Sequence, residues 1–200
     1  IDLIAAGCVD LSDNRVDWTP PSEGEWCLFG FWSQTTGQMN DSATAPVIDH
    51  FSREAVEAVV GYWDRCLLGE PEIKALYEKN AGCLFCDSIE LNATMLGGMY
   101  EATPMAVAIW TPELLSEFRV RRGYDLTPFL PAIFVKGLYQ LAADRKTDDD
   151  SEYDFEDRKV NRRIRNDFFL TLTDMFRDNH LRFLRQWANG HNMRLRYQTY

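Results

Sequence analysis

A short apolar run that ends in carboxylates is the feature that most constrains the fold of this chain. Residues 83–86 read Cys-Leu-Phe-Cys, Gly82 precedes them, and Asp87 and Glu90 follow. An apolar run of this length between turn residues is typical of a buried strand in a parallel sheet. Ligands of such sheets collect at the carboxyl ends of the strands. The pattern therefore predicts a site that contains Asp87 and Glu90.

The composition predicts a folded chain and limits its partners. Hydrophobic residues make up 46% and aromatic residues 13% of the 200 residues, which excludes a disordered chain. The net charge of −10 argues against a nucleic-acid partner, because phosphate binding requires a basic face. No apolar stretch approaches the ~20 residues of a membrane helix, so we expect no membrane partner. The aromatic content suits a neutral ligand such as a sugar.

The five cysteines do not predict a disulfide framework, because their number is odd. Cys83 and Cys86 have the spacing of a metal or redox pair. However, side chains alternate along a strand, so residues three apart point to opposite faces. We therefore do not expect metal or redox chemistry at this pair.

Turn signals and apolar periodicity divide the rest of the chain into strands and helices. The predicted strands are 9–11, 16–18, 26–32, 83–87 and 193–198. Helices are predicted from the N-cap Ser52 to Gly69, from Thr111 to Gly123, from Thr127 onward, and from 160 to 189 with a break near Asp178. Residues 33–45 form a polar loop that could contact substrate.

This order of elements predicts the α/β class, with part of a (β/α)8 TIM-type barrel. Strands that alternate with helices favour a parallel sheet, and so few strands give an arc of a barrel. We expect residues 26–200 to be the N-terminal part of the barrel, with an acidic surface insertion at 144–159. Residues 1–25 are the β-rich entry segment, expected to be the end of a β-sandwich-like module and a linker. Because neither end resembles a natural terminus, we expect an internal fragment.

Several short motifs follow one another in a specific order along the chain. They are Asp-Ser-Ile-Glu at 87–90, Trp-Thr-Pro at 110–112, Glu-Phe at 117–118, Arg-Arg-Gly-Tyr-Asp-Leu at 121–126, Phe-Leu-Pro at 129–131, Arg-Asn-Asp-Phe at 165–168 and Arg-Tyr-Gln-Thr-Tyr at 196–200. Together they resemble the α-L-rhamnosidases of glycoside hydrolase family 106 over most of residues 26–200. The resemblance implies a (β/α)8 barrel flanked by β-sandwich modules, hydrolysis of α-L-rhamnosides with inversion, calcium as a cofactor, and a secreted or periplasmic location.

The same resemblance implies the role of Glu90. It would be one of two catalytic carboxylates, with general acid as the favoured role, and its partner would lie beyond Tyr200. An inverting pair stands roughly 6.5–9.5 Å apart, which admits the attacking water. Asp87 is expected to contact sugar or calcium, or else to cap the loop. The metal ligands remain unknown.

Five further residues are candidates for substrate binding. These are Trp110, Asp49, His50, Gln198 and Tyr200. Trp110 could offer an aromatic platform for a sugar, although core packing is the commoner role of Trp. Asp49 and His50 precede a helix, where turn and cap chemistry is the alternative. Gln198 and Tyr200 lie on one side of the last predicted strand.

Four charged or titratable residues are expected to be structural. Arg121 and Arg122 should form salt bridges on their helix. His180 and His191 lie near the end of the long helix, where a surface histidine stabilised by the helix dipole is the expectation.

Two alternative functions remain open at this point. One is a non-catalytic carbohydrate-binding segment, in which Glu90 and Trp110 hold sugar without cleaving it. The other is a barrel glycosidase that acts on a different sugar.

Overall fold

The computed structural model of the chain describes residues 3–4, 6–10, 12–13, 15–39, 45–87, 89, 108–134 and 154–198. Helices predominate over strands within these residues. In chain order the elements are β1 (Val9–Asp10), β2 (Arg15–Val16), α1 (Arg53–Cys66), α2 (Pro71–Asn80), β3 (Cys83–Cys86), α3 (Leu114–Arg122), a 3-10 helix (Thr127–Ile133), α4 (Arg158–Met175), a π-helical segment (Phe176–Leu181), α5 (Arg182–Gly190) and β4 (Arg194–Tyr197).

Helix α1 begins where the sequence predicts. Ser52 is its N-cap, and the Ser52 hydroxyl accepts a hydrogen bond from the Ala55 amide at 3.5 Å. The helix ends at Cys66, shortly before the predicted stop at Gly69. A Cβ atom at Gly69 would lie 2.4 Å from the carbonyl oxygen of Arg65. The path of the backbone after α1 therefore requires glycine at position 69.

Helix α2 has no counterpart among the elements that the sequence predicts. None of its residues is buried, so it lacks the apolar stripe by which an amphipathic helix is recognised. Its start does carry a local signal, because Pro71 occupies the first turn, where a missing amide costs no hydrogen bond.

Helix α3 confirms the predicted inward face and the predicted end at Gly123, but it begins at Leu114 and not at Thr111. Leu114 and Phe118 are buried, and Leu115 packs against the same core. The helix ends at Gly123, which adopts the left-handed conformation with φ 80°. A further helix start was predicted at Thr127, and a 3-10 helix begins there, with Pro128 in its first turn.

The long helical stretch from Arg158 to Gly190 contains a π-helical segment at Phe176–Leu181. The predicted break near Asp178 is therefore a local change of helical pitch. Such π-helical turns are uncommon and frequently occur at functional sites.

Strands β3 and β4 pair in parallel, which confirms the predicted parallel pairing. The expectation of a buried strand is wrong, because Cys83 and Phe85 are exposed on the face that none of the described helices covers. Cys83 pairs with Arg194, and Cys86 pairs with Tyr197. Exposure alternates along both strands, so Cys83 and Cys86 do lie on opposite faces. The described residues show two parallel strands, and a closed barrel is not seen among them.

The predicted strand at 26–32 is wrong. These residues are irregular and exposed, although Phe31 stacks on Phe134 with ring centroids 5.2 Å apart. An apolar run becomes a strand only if a neighbouring strand takes its backbone hydrogen bonds, and none of the described strands does so. Short strands form at both predicted places, as the antiparallel pair β1–β2, but the second covers residues 15–16 and does not extend over the predicted 17–18. Its membership of a β-sandwich stays a prediction.

Two apolar clusters hold the helices in place. The larger packs α3, the 3-10 helix and α4, and is built from Phe51, Leu114, Phe118, Leu126, Leu130, Ala132, Ile133, Ile164, Phe168, Leu172 and Met175. The smaller consists of Val56, Val60 and Leu184, with Cys86 and Leu195 packed against it. The smaller cluster fixes α1 and α5 against one face of the β3–β4 pair.

Most of the acidic tract at 144–159 lies outside the described residues. At its end Asp154 forms an ion pair with Arg165, and both side chains are largely buried. The Arg165 guanidinium also donates to the Ala132 carbonyl. The last part of the tract is thus attached to the larger core.

Candidate active site

The carboxyl ends of β3 and β4 meet at one place, because the two strands are parallel and in register. The backbone amide of Gln198 donates a hydrogen bond to the Cys86 carbonyl at 3.0 Å, which extends the pairing by one residue. Asp87 and Gln198 therefore leave the sheet side by side. The structure brings together these two sequence-predicted residues, and their contact with substrate stays a prediction.

The two faces of the strand pair differ in what covers them. Cys86 and Leu195 lie on the face that packs against α1 and α5. Phe85 and Arg196 lie on the other face, where the guanidinium is 5.4 Å from the ring centroid. Asp87 and Gln198 are exposed. By strand alternation both continue the Phe85–Arg196 face, which none of the described helices covers.

A cluster of titratable rings lies at the same end of the strands, on the helix side. The rings of His50 and His180 contact edge to face, with centroids 5.1 Å apart. His180 also stacks on Phe176 and lies 6.0 Å from the Tyr197 ring. His180 is the buried histidine of the π-helical segment. The local change of pitch thus occurs where this cluster forms.

Burial controls the protonation of this cluster. Desolvation, and then the charge of His50, lowers the pKa of His180 to about 4. Desolvation also lowers the pKa of His50, against the opposing effect of Asp49. Burial raises the pKa of Tyr197 and of the Cys86 thiol. At neutral pH these side chains are therefore uncharged, and each imidazole can offer both a donor and an acceptor.

Asp49 and Trp110 have structural contacts. The Asp49 carboxylate accepts a hydrogen bond from the Phe51 amide at 2.8 Å, which is the turn chemistry considered as its alternative. Trp110 is partly buried against the larger apolar cluster. Both keep some exposure, so a role in sugar binding stays a prediction for each.

Glu90 and Tyr200 lie outside the described residues. The described part of the chain contains no group of three or more His, Cys, Asp or Glu side chains that could hold a metal ion. Asp87 is the acidic residue at the carboxyl end of β3, and one carboxylate does not make the six to eight oxygen ligands that calcium takes. Calcium therefore stays a prediction from the family resemblance. None of the described helices is long and apolar enough to cross a membrane.

Arg121 and Arg122 form salt bridges, as predicted, but among the described ion pairs that of Arg121 with Glu117 lies within their own helix and the others reach different elements. Arg121 contacts Glu117 and Asp178, each at 2.8 Å. Arg122 pairs with Asp174. The two arginines thus tie α3 to the end of α4 and to the π-helical segment, which fixes the position of the buried ring cluster.

The expectation of two surface histidines is wrong. His180 is only 5% exposed. His191 is held between Glu78 at 3.0 Å and Asp64 at 3.3 Å. The sequence did contain a signal for His180, because it continues the helical apolar series Phe176, Phe183 and Trp187.

Comparison with known proteins identifies the family. The family model of glycoside hydrolase family 106, described as alpha-L-rhamnosidase, matches residues 5–198. The chain belongs to this family. No significant match was found among curated proteins. A solved rhamnosidase from Novosphingobium sp. PP1Y is similar to the family 106 chain at 23% identity and a TM-score of 0.45, over 77% of this chain and 12% of that one. The family 106 chain thus spans a small part of that structure.

Proposed function

We propose that this family 106 chain contributes to the catalytic domain of an inverting α-L-rhamnosidase, which removes terminal α-L-rhamnosyl residues from polysaccharides or glycosides. In this proposal the chain is a fragment that supplies an arc of a (β/α)8 barrel, in a secreted or periplasmic protein. The observation that carries the proposal is the shared carboxyl end of β3 and β4. Two polar residues of the family motifs, Asp87 and Gln198, emerge there side by side on the uncovered face.

The placement of Asp87 supports the role proposed for Glu90. Asp87 leaves the end of β3, and Glu90 is three residues further along the same motif. Active sites of parallel α/β barrels lie at the carboxyl ends of the strands. Glu90 would protonate the leaving glycosidic oxygen as general acid, and a second carboxylate outside this chain would activate the water.

The other polar groups at this end would position the sugar. The Asp87 carboxylate can accept hydrogen bonds from sugar hydroxyls or serve as one oxygen ligand of calcium. The Gln198 amide can both donate and accept. His50, Trp110, Asp49 and Tyr200 complete the proposed substrate-binding set.

The test is hydrolysis of an aryl α-L-rhamnoside by the protein that carries this sequence. Glu90→Gln keeps the shape of the side chain and removes its proton, so it should lower turnover by ~10²–10⁴-fold. Glu54→Gln, an exposed glutamate in the first turn of α1, is the matched control and should leave turnover unchanged. Near-normal turnover in Glu90→Gln would move the acid to another residue.

The products separate this proposal from its alternatives. Inversion predicts that proton NMR detects β-L-rhamnose first, before mutarotation. An α product would show retention and would contradict the inverting mechanism. Binding of rhamnose without hydrolysis would favour a carbohydrate-binding segment, and hydrolysis of a different aryl glycoside would favour another glycosidase.

A further inference from the structure

His50 and His180 form a buried contact between two segments that are distant along the chain. Their rings meet edge to face, with centroids 5.1 Å apart. His180 is 5% exposed, and the Nδ1 atom of each ring is buried and has no hydrogen-bond partner among the described residues. In the neutral tautomer that carries its proton on Nε2, the Nδ1 atom has no proton to donate. The packing is therefore compatible with two uncharged rings.

The same packing opposes the protonation of either ring. An imidazolium carries a proton on both nitrogens, so its Nδ1–H would be a buried, charged donor without an acceptor in the described part of the chain. Protonation of both rings would also bring two positive charges together, with ring centroids 5.1 Å apart. Desolvation accordingly lowers the pKa of both rings, that of His180 to about 4, where the charge of His50 is the second cause.

The other groups around the pair do not compensate for this burial. Asp49 is the acidic neighbour of His50 and favours its protonation, but desolvation has the larger effect on the pKa of His50. From β4, the Tyr197 ring lies 6.0 Å from the His180 ring, and from β3 the Cys86 thiol acts on Tyr197. Burial raises the pKa of Tyr197 and of Cys86, so neither supplies a negative charge.

Charged side chains on the neighbouring helices are engaged elsewhere. Asp178, two residues before His180, forms ion pairs with arginines. Arg53, at the start of α1, pairs with Glu57 at 2.7 Å. The described ion pairs include neither His50 nor His180. A proton taken up by either ring would thus have no ion-pair partner within the described residues.

The pair belongs to the contact that holds the turn at residues 49–51 against the π-helical segment. In the same contact the Asn179 side chain donates to the Phe51 carbonyl at 2.7 Å, and the Phe51 ring meets that of Phe176 with centroids 6.4 Å apart. We propose that the His50–His180 pair is an acid latch, a contact that releases this turn from the π-helical segment when its rings take up protons. The acid latch goes beyond the proposed glycosidase function and does not depend on it.

The direction of the pH effect follows from the linkage between proton binding and opening. A ring released into water regains the ordinary histidine pKa of 6.5, whereas burial keeps the pKa of the packed His180 ring at about 4. The acid latch therefore has its full stability above about pH 6.5 and loses it as the pH falls towards 4. From His180 alone, the opening equilibrium should be ~10–30-fold larger at about pH 5 than at about pH 7.5.

Hydrogen exchange followed by mass spectrometry tests the acid latch in the unsubstituted chain. After correction for the intrinsic pH dependence of exchange, peptides covering residues 49–52 and 176–181 should lose ~10–30-fold of their protection between about pH 7.5 and about pH 5. Peptides from α3 should keep their protection, because α3 contains no histidine. Unchanged protection at 49–52, or an equal loss in α3, would overturn the proposal.

Substitution of two histidines separates the acid latch from other effects of acid. His180→Phe keeps an aromatic ring against Phe176 and removes the titrating group, so the loss of protection at 49–52 should become several-fold smaller. The chain contains three histidines, and His191→Gln is the matched control, which should leave the loss unchanged. A loss that persists in full in His180→Phe, or that disappears in His191→Gln, would contradict the acid latch.

A further measurement keeps the proposal testable if His180→Phe does not fold. Proton–nitrogen NMR of the unsubstituted chain follows the titration of each imidazole, and the contact between the two rings identifies the signals of His50 and His180. Both should titrate with midpoints below the ordinary value of 6.5. Midpoints at or above 6.5 would show that neither ring is held uncharged, and the proposal would fail.

Discussion

Substitution by alanine should stabilise the fold at Gly61, which lies inside α1, and destabilise it at Gly69, which follows the helix. Gly61 lies inside α1, and a Cβ atom there would meet only the Arg65 guanidinium at 3.4 Å, which can move away. Gly69 lies after the helix, and a Cβ atom there would be 2.4 Å from the Arg65 carbonyl oxygen. A backbone carbonyl cannot move without disturbing the last turn of the helix.

The magnitudes follow from helix propensity and from steric contact. Alanine is more favourable than glycine inside a helix by ~0.8–1.0 kcal/mol, so Gly61→Ala should raise the free energy of unfolding by about that amount. Gly69→Ala also restricts the unfolded chain, which contributes ~0.4–1 kcal/mol in its favour. Forced overpacking costs ~1–3 kcal/mol, and a contact this short with backbone belongs at the upper end. We therefore expect Gly69→Ala to lower the free energy of unfolding by about 1–2 kcal/mol.

Thermal and urea unfolding followed by circular dichroism at 222 nm measure both variants. A change of about 1 kcal/mol shifts the melting temperature by ~2–4 °C for a chain of this size. Gly61→Ala should melt higher than the unsubstituted chain, and Gly69→Ala should melt lower. If Gly69→Ala were as stable as Gly61→Ala, the close approach of Gly69 to Arg65 would not exist in solution.

Two further predictions concern the polar contacts of α4 and the π-helical segment. Asn161 is buried and bonds both backbone groups of Phe155, so Asn161→Ala should lower the free energy of unfolding by about 2 kcal/mol in urea titrations. A stability matching that of the unsubstituted chain would show that the 154–157 segment is not attached there. Hydrogen bonds from Arg177 first, and from Arg121, lower the pKa of Asp178 below its ordinary value of 3.8. The stability that Asp178 contributes is thus complete above pH 4 and is lost as the pH falls further, because the unfolded state takes up the proton first. Asp178→Asn should be less stable at pH 7 and should lose less stability between pH 4 and pH 2, which unfolding curves at each pH will show.

The sequence was sufficient wherever the controlling interactions are local. The N-cap at Ser52, the apolar stripe of α3 and the left-handed Gly123 each depend on residues within one or two helical turns. Their signals are therefore complete in a short window. The strands at 83–86 and 194–197 were also predicted, the first from an apolar run between turn residues and the second from alternation. Helix α2 was not predicted, because a helix with no buried residue has no apolar stripe in its sequence.

In the candidate site, too, some residues could be predicted from local sequence and others could not. The sequence predicts Asp87 at a strand end, and parallel pairing with β4 places Gln198 beside it. The sequence could place His180 on an apolar series of its helix. It could not show that His50, far away along the chain, would lie against it.

The sequence by itself determined the family, the start of α1, the end of α3 and the parallel character of the β3–β4 pair, since these follow from short motifs and local periodicity. The tertiary structure decided which apolar segments acquire partners. It left 26–32 without a strand partner among the described residues, and it buried two histidines at the carboxyl end of the sheet. Those outcomes depend on contacts between distant segments. Such contacts are set by how several helices and strands pack at once, and no single segment of sequence contains that information.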